Sequence, residues 1–443
     1  MKIAVWHNLP SGGGKRALFH HVEGLLAQGH KVEAWCPPTA DQTYLPLSQL
    51  CRENVVPLAS RAGGRKVRWR PVSAMTARLG AMDEHCLLCA ADIQSKGFDL
   101  LFANSCAAFA VSPIARHVQI PSVIYLGEPF RHLYECMPGS QHGAGFPWAA
   151  LPERAGQSRS RYFKSQLADL LGKRALRLQV REEIRNAKAF STILVNSLFS
   201  RETVLRTYGL ESRVCYLGVD VKGFKPTGEP KEGFVVGLGG LYAAKGPDRA
   251  LRALATIPDA ARPPFLWIGN MSPSSGYAKS LADLARSLQV RWETRIRVPD
   301  AELVSILSRA SVLLYTPRLE PFGLAPLEAN ACGTSVVGIA EGGLRESIHH
   351  GANGRLVNHF DPDELGRLVA ELTGSRELAR EEGANARRHV ENHWAAASGM
   401  ARLTNELSRT LEDFRRIPGM KSNRADITVQ NGPATHKATL AMP

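Results

Sequence analysis

No apolar run in this chain approaches the ~20 residues that a membrane-spanning helix needs, so no such helix is expected. The amino end, Met1-Lys2-Ile3-Ala4-Val5-Trp6, passes at once into His, Asn, Leu and Pro; it reads as a strand and not as a signal sequence. Eight cysteines scattered over 443 residues make no disulfide framework, and without a leader they point to reduced thiols in a cytoplasm. Cys86 and Cys89 form a lone C-x-x-C; a zinc site would need a second pair, so helix packing is the expected role. Zinc knuckles and the aromatic-glycine motif of RNA-binding domains are missing too, and no nucleic-acid partner is expected. Acid is in deficit. Lys+Arg number 55 against 41 Asp+Glu, a net charge of +14, so an anionic partner such as a membrane surface or a phosphorylated lipid is expected.

What is present exceeds one hydrophobic core: 443 residues of ordinary 44% hydrophobic content imply two domains plus extensions. The chain is organised around residues 311–333. Val312 to Tyr315 reads as a short buried strand ended by Pro317, and Leu324 to Ala331 as a helix that tolerates Pro326 in its first turn. Between them, Glu320-Pro321-Phe322-Gly323 is a loop whose amides run into a helix N-terminus, an anion site at the carboxyl end of a strand. Glu320 lies in the loop and Glu328 in the helix, so one carboxylate can serve hydroxyls on each side of a bound phosphate. A nucleoside diphosphate sugar has that layout.

With Pro317, Phe322, Gly323, Ala329 and Gly333 around it, the Glu-x7-Glu pair resembles that of the retaining GT-B glycosyltransferases of family four. The resemblance implies a fold class of α/β type, two Rossmann-like domains facing across a cleft. It implies that Glu320 binds the donor hexose, that Phe322, Gly323 and Leu324 meet hexose and phosphate, and that Glu328 binds ribose. It extends from about residue 190 to 395, with thinner matches at the amino end. There Gly12-Gly13-Gly14-Lys15 opens a helix, and Gly13 and Gly14 let the backbone approach a donor phosphate or acceptor. In the second half, Gly239-Gly240-Leu241-Tyr242-Ala243-Ala244-Lys245-Gly246 supplies Lys245 for the diphosphate, but Gly240 stands where the family has an arginine. Arg249 and Arg318 are the candidates to replace that charge. Asn270, in a turn after the strand Phe265 to Ile268, and Val298, ending a strand from Arg295, complete the expected donor contacts. A strand from Ile120 to Leu126 leads to Glu128, where many relatives carry a histidine; Glu128 can act as base, bind acceptor hydroxyls, or pair with Arg131.

The expected organisation is an acceptor-side domain over 1–222, a donor domain over 223–402, a helix over 403–416 crossing back, and a disordered tail over 417–443. An insertion at about 130–185 matches nothing in the family. Two stretches carry the basic excess. Residues 61–78 hold Arg61, Arg65, Lys66, Arg68, Arg70 and Arg78; residues 154–185 hold nine Lys/Arg beside a helical apolar stripe of Leu167, Leu171, Ala175 and Leu178. Either is a solvated face or a contact to an anionic membrane. Asp361-Pro362-Asp363 has a metal-binding D-x-D form, but an N-cap followed by Pro at the first helical position explains it.

The expected function is a metal-independent, retaining hexosyl transfer from a nucleotide diphosphate-sugar to a glycan, lipid-linked or small-molecule acceptor. Glu320, Lys245 and Glu128 are the catalytic candidates, and the nucleotide-sugar is a co-substrate with no further cofactor. The alternatives are a non-catalytic nucleotide-sugar or anionic-partner binding protein, and an epimerase or hydrolase of the same architecture.

Overall fold

The computed structural model describes residues 1–59, 71–134, 159–269 and 276–416. Asn270, the basic residues from Arg61 to Arg70, Arg154 and the expected tail lie outside the described residues. The chain runs β1 (Lys2–Asn8), α1 (Gly13–Ala27), β2 (Lys31–Cys36), β3 (Arg52–Val55), α2 (Pro71–Ser95), β4 (Leu100–Cys106), β5 (Ser122–Tyr125), α3 (Arg131–Tyr134), α4 (Arg159–Ala189), β6 (Thr192–Val195), α5 (Leu198–Tyr208) and β7 (Arg213–Val214). It continues through β8 (Val235–Leu238), α6 (Pro247–Ala255), β9 (Phe265–Gly269), α7 (Gly276–Ser287), β10 (Trp292–Ile296), α8 (Asp300–Arg309), β11 (Val312–Tyr315), α9 (Leu324–Ala331), β12 (Val336–Ile339), α10 (Leu344–Ser347), β13 (Gly354–Val357), α11 (Pro362–Gly374), α12 (Arg376–His393) and α13 (Ala396–Arg416).

The strands form two sheets, β3-β2-β1-β4-β5-β6-β7 and β10-β9-β8-β11-β12-β13, with every pair parallel. Parallel strands need helical crossovers on both faces, so central strands are buried on both sides and read as continuous apolar runs. Val312–Tyr315, Val336–Ile339 and Thr192–Val195 are buried throughout. Edge strand β10 alternates partly buried with exposed residues and offers no such run. That is why the sequence placed it late: the strand stops at Ile296 because Arg297 turns into the left-handed region at φ 54°.

In each sheet the strand order reverses once, between β1 and β4 and between β8 and β11. Crossover helices leave opposite faces there, which opens a crevice at the strands' carboxyl ends. The two crevices supply the loops described below. A continuous apolar core runs from Leu18, Val22 and Leu25 of α1 to Phe322 and Leu327 of the second domain. Tyr216, Phe322 and Trp394 form an aromatic cluster within it, with ring centroids 5.5 to 6.2 Å apart.

After α12 the chain returns to the first sheet. Val219 pairs with Ala395, and α13 lies on α1, where Thr404 donates to Gln28 at 2.7 Å. Thr410 meets Thr192 at 2.9 Å, and Arg213 pairs with Glu406 at 3.2 Å. Leu403 and Leu407 are fully buried. Replacing Leu407 by Ala removes buried methyl groups and leaves a cavity, so urea unfolding should show a loss of about 2–5 kcal/mol. An unchanged midpoint would mean that α13 is not part of the cooperative core.

Candidate active site

The loop between β11 and α9 is built by close backbone packing. Gly323 takes φ 96° as the N-cap of α9 and turns the chain into the helix. The glycine loop before α10 lies against it: the Gly343 amide donates to the Glu320 carbonyl at 2.7 Å, and a Cβ on Gly343 would overlap the Pro321 carbonyl. Leu319 sits at φ 52°, a costly conformation for a branched side chain, directly before Glu320. The amides of Phe322, Gly323 and Leu324 meet no acceptor among the described residues, while the Phe322 carbonyl accepts from Ser347 at 2.7 Å. The start of α9 thus leaves three backbone donors without an acceptor among the described residues.

Lys245 follows β8, next to β11, and its ammonium meets Glu320 at 2.8 Å. Burial works to lower the Lys245 pKa, but Glu320 more than offsets it and the ammonium is held above its ordinary range. Glu320 and Lys245 are brought together as partners. Arg318 is committed elsewhere, to Asp248 at 2.8 and 3.2 Å, and Arg249 to Glu341 at 3.1 Å while lying over Phe360. Both arginines proposed to replace the family charge at Gly240 therefore already have carboxylate partners. Gly240 itself is buried, its carbonyl accepting from Tyr242 at 2.9 Å.

Glu328, on α9, is buried and meets Arg16 of the first domain at 3.2 Å. Burial pushes its carboxyl up to about 7; Arg16 pulls it down and Asp300 adds to the rise. Gly13 faces the same helix start: a Cβ on it would lie 3.8 Å from the Leu324 side chain, and one on Gly14 would meet Leu9 at 3.7 Å. Val298 is partly buried against the shared core. Glu128 lies 3.5 Å from Arg131, the pairing foreseen as its alternative role, and Arg131 also donates to the Arg318 carbonyl at 3.1 Å.

Sequence reasoning missed the groups that reach across the cleft. Arg16 bonds Asp300 at 2.6 and 2.8 Å; Ser197 donates to the Pro321 carbonyl at 2.5 Å. Glu346 accepts from the Leu198 and Phe199 amides at 2.7 and 2.9 Å, capping α5 from the opposite domain, and from Tyr216 at 2.8 Å. These bonds hold the domains together around the loop. One further cluster went unread: the candidate ligand atoms of His7, Cys36 and Glu53 lie within 4.8 Å of one another, with His7 to Glu53 at 2.9 Å. Lys15, wholly buried in the first turn of α1, adds a positive charge; burial lowers its pKa and Glu53 and Asp41 offset that only in part, so the group reads as an internal charge cluster. Asp361 caps α11, accepting from the Asp363 and Glu364 amides.

Residues 222–389 match the family model described as glycosyl transferases group 1. D-inositol 3-phosphate glycosyltransferases of Thermobispora bispora and Rhodococcus erythropolis are 33% and 37% identical over 197 and 174 residues. These matches cover 42% and 37% of this chain and 45% and 38% of those relatives, so the chain spans less than half the length of either of these two relatives. Anabaena HepE in complex with UDP and glucose superposes with a TM-score of 0.68 at 18% identity, covering 92% of this chain and 100% of that one. Sucrose-phosphate synthase from Thermosynechococcus elongatus gives 0.65 at 18%, covering 93% and 100%. The fold is GT-B, two Rossmann-like domains facing a cleft.

The raised Glu328 carboxyl makes a stability prediction. A folded pKa of about 7 against an ordinary 4.5 means that the folded protein holds more protons than the unfolded chain between those values. Stability from this group is therefore lost as pH rises from 4.5 through 7. Glu328→Gln should remove that slope: the wild type's advantage over it in urea melts should shrink between pH 5 and pH 8. A difference independent of pH would show Glu328 to be ionised throughout.

Proposed function

We propose that this protein, whose residues 222–389 match the model of glycosyl transferases group 1, moves a hexose from a nucleotide diphosphate-sugar to an acceptor with retention of anomeric configuration. The observation that carries this is the grouping of Lys245, Glu320, Glu328 and the amides of Phe322 to Leu324, which have no acceptor among the described residues, at one switch point. Glu320 orients the hexose hydroxyls and Glu328 those of the ribose. Lys245 and the helix-start dipoles stabilise the charge that develops on the departing diphosphate, the main term in such a reaction. The bond from the anomeric carbon to the phosphate oxygen breaks as the acceptor oxygen attacks from the same face. The acceptor's proton passes to the leaving phosphate, and the electron pair leaves with it.

The acceptor side is supported by a cavity of about 570 Å³ in the first domain, lined by Asn8, Thr39, Arg78, Met82 and Phe109 among others. Its mostly apolar wall, with Arg78 over the Phe109 ring at 5.5 Å, suits an acceptor with an apolar portion and an anionic group. Nearby, α4 packs on α2 with Arg174, Arg177, Arg181, Arg185 and Lys188 exposed along one face, while Ala175 is buried. Lys173 is buried and so does not belong to that stripe. No helix among the described residues is long and apolar enough to cross a membrane. The stripe is our proposed contact to an anionic membrane surface.

Thermal-shift titration with UDP and GDP should reveal which nucleoside diphosphate stabilises the protein, and the matching nucleotide-sugars should give product whose anomeric centre, read by NMR, is retained. Glu320→Gln and Lys245→Met should each lower turnover roughly a hundredfold. Binding of neither nucleotide, or an inverted product, would overturn the assignment. For the membrane contact, Arg174, Arg177 and Arg181 are changed together to Gln. Co-sedimentation with phosphatidylglycerol vesicles should weaken roughly a hundredfold, at about 1 kcal/mol per charge; undiminished pelleting removes α4 as the contact.

A further inference from the structure

Arg16 stands in the first turn of α1, in the first domain, yet its charged partners belong to the second. Both terminal nitrogens donate to Asp300, at 2.8 and 2.6 Å, in the fork geometry that fixes a guanidinium plane. Its Nε points to Oε1 of Glu328 at 3.2 Å. The same group lies 5.0 Å from the Phe224 ring and 5.6 Å from the Tyr44 ring. Phe224 is itself fixed, because Arg387 donates to its carbonyl at 2.6 Å. Asp300, Glu328, Phe224 and Tyr44 together hold the side chain in place. Among the described residues Arg16 is the sole ion-pair partner of Glu328.

We propose that Arg16 is a positioning residue for the donor: reaching across the cleft, it fixes the Glu328 carboxylate for the ribose hydroxyls, so that the nucleotide is held at full affinity only when the two domains are closed. This rests on the reading of Glu328 as the ribose ligand. Two carboxylates, Glu328 and Asp300, share this one guanidinium. Removing it leaves a buried carboxylate beside a like charge, which favours the protonated form and turns an acceptor of hydroxyl hydrogens into a poorer one. The groups facing Glu328 are Arg16 from α1, Tyr44 from the loop after β2, Asp300 at the start of α8, and Cys332 at the end of its own helix. Burial alone would lower the pKa of Arg16, but Asp300 and Glu328 hold it above the ordinary range, so it stays charged at every working pH. Glu328 is the member of the set that titrates near neutrality.

Isothermal titration of the full chain with UDP and with GDP, from pH 5.5 to 8.5, tests this. The wild type should lose affinity for the nucleotide it takes as pH falls through neutrality. Arg16→Ala should bind roughly fivefold more weakly at pH 7, the effect of about one unit of carboxyl pKa, and its acid limb should move to higher pH, so that the deficit narrows by pH 8.5. Asp300→Asn removes the like charge and should move the limb the opposite way. Arg16→Lys keeps the charge without the fork and should keep the limb while losing part of the affinity; it and Asp300→Asn carry the test if the alanine variant does not fold. Glu328→Gln should bind weakly and without pH dependence. A wild-type profile in Arg16→Ala, a deficit there of constant size at all pH values, or an unmoved limb in Asp300→Asn would show Arg16 to be structural only and overturn the proposal while leaving the donor reading intact. If the wild type binds neither nucleotide, the donor reading fails and this inference with it.

Discussion

Two carboxylates partly withdrawn from water at the carboxyl ends of parallel strands set the terms for the rest of this molecule. A buried carboxylate without a cation protonates or disrupts the fold, so each needs a positive partner in place. Glu320 obtains its partner locally: Lys245 follows the neighbouring strand, and the pair closes at 2.8 Å within one domain. Glu328 obtains its partner from the other domain, at the cost of bringing α1 across the cleft to α8 and α9. The proposed donor site is thus electrostatically complete only when the halves of the molecule meet.

Other bonds follow the same line. The Pro321 carbonyl is tied to Ser197, and Glu346 caps a helix that belongs to the opposite sheet. Each uses a backbone group left unsatisfied at a loop or helix end and answers it from across the cleft. The aromatic cluster of Tyr216, Phe322 and Trp394 fills the space behind them, and α13 straps the second domain onto α1. The loop proposed to meet the sugar therefore takes its shape from both domains.

Much of this was legible in the sequence where the physics is local. Fully buried strands such as Val312 to Tyr315 announce themselves as apolar runs, and Gly323 marks a turn that a Cβ would obstruct. Lys245 and Glu320 were named separately, and the strand order that brings them together follows from the doubly wound pattern. What escaped is what depends on distant partners. Nothing about Arg16 in sequence distinguishes it from other surface arginines, since Asp300 and Glu328 lie about three hundred residues away. The ion pairs of Arg318 and Arg249 were invisible for the same reason, and these side chains were expected to bind phosphate. Edge strand β10 was misplaced because a half-exposed strand carries no continuous hydrophobic signal.

A crystal structure with a bound nucleotide diphosphate-sugar would place each part of the donor against these side chains. The account predicts ribose hydroxyls at hydrogen-bond distance from Glu328, the diphosphate on the amides of Phe322 to Leu324 beside Lys245, and hexose hydroxyls on Glu320. A nucleotide seated elsewhere, or one bound here with either carboxylate turned away from it, would contradict the account.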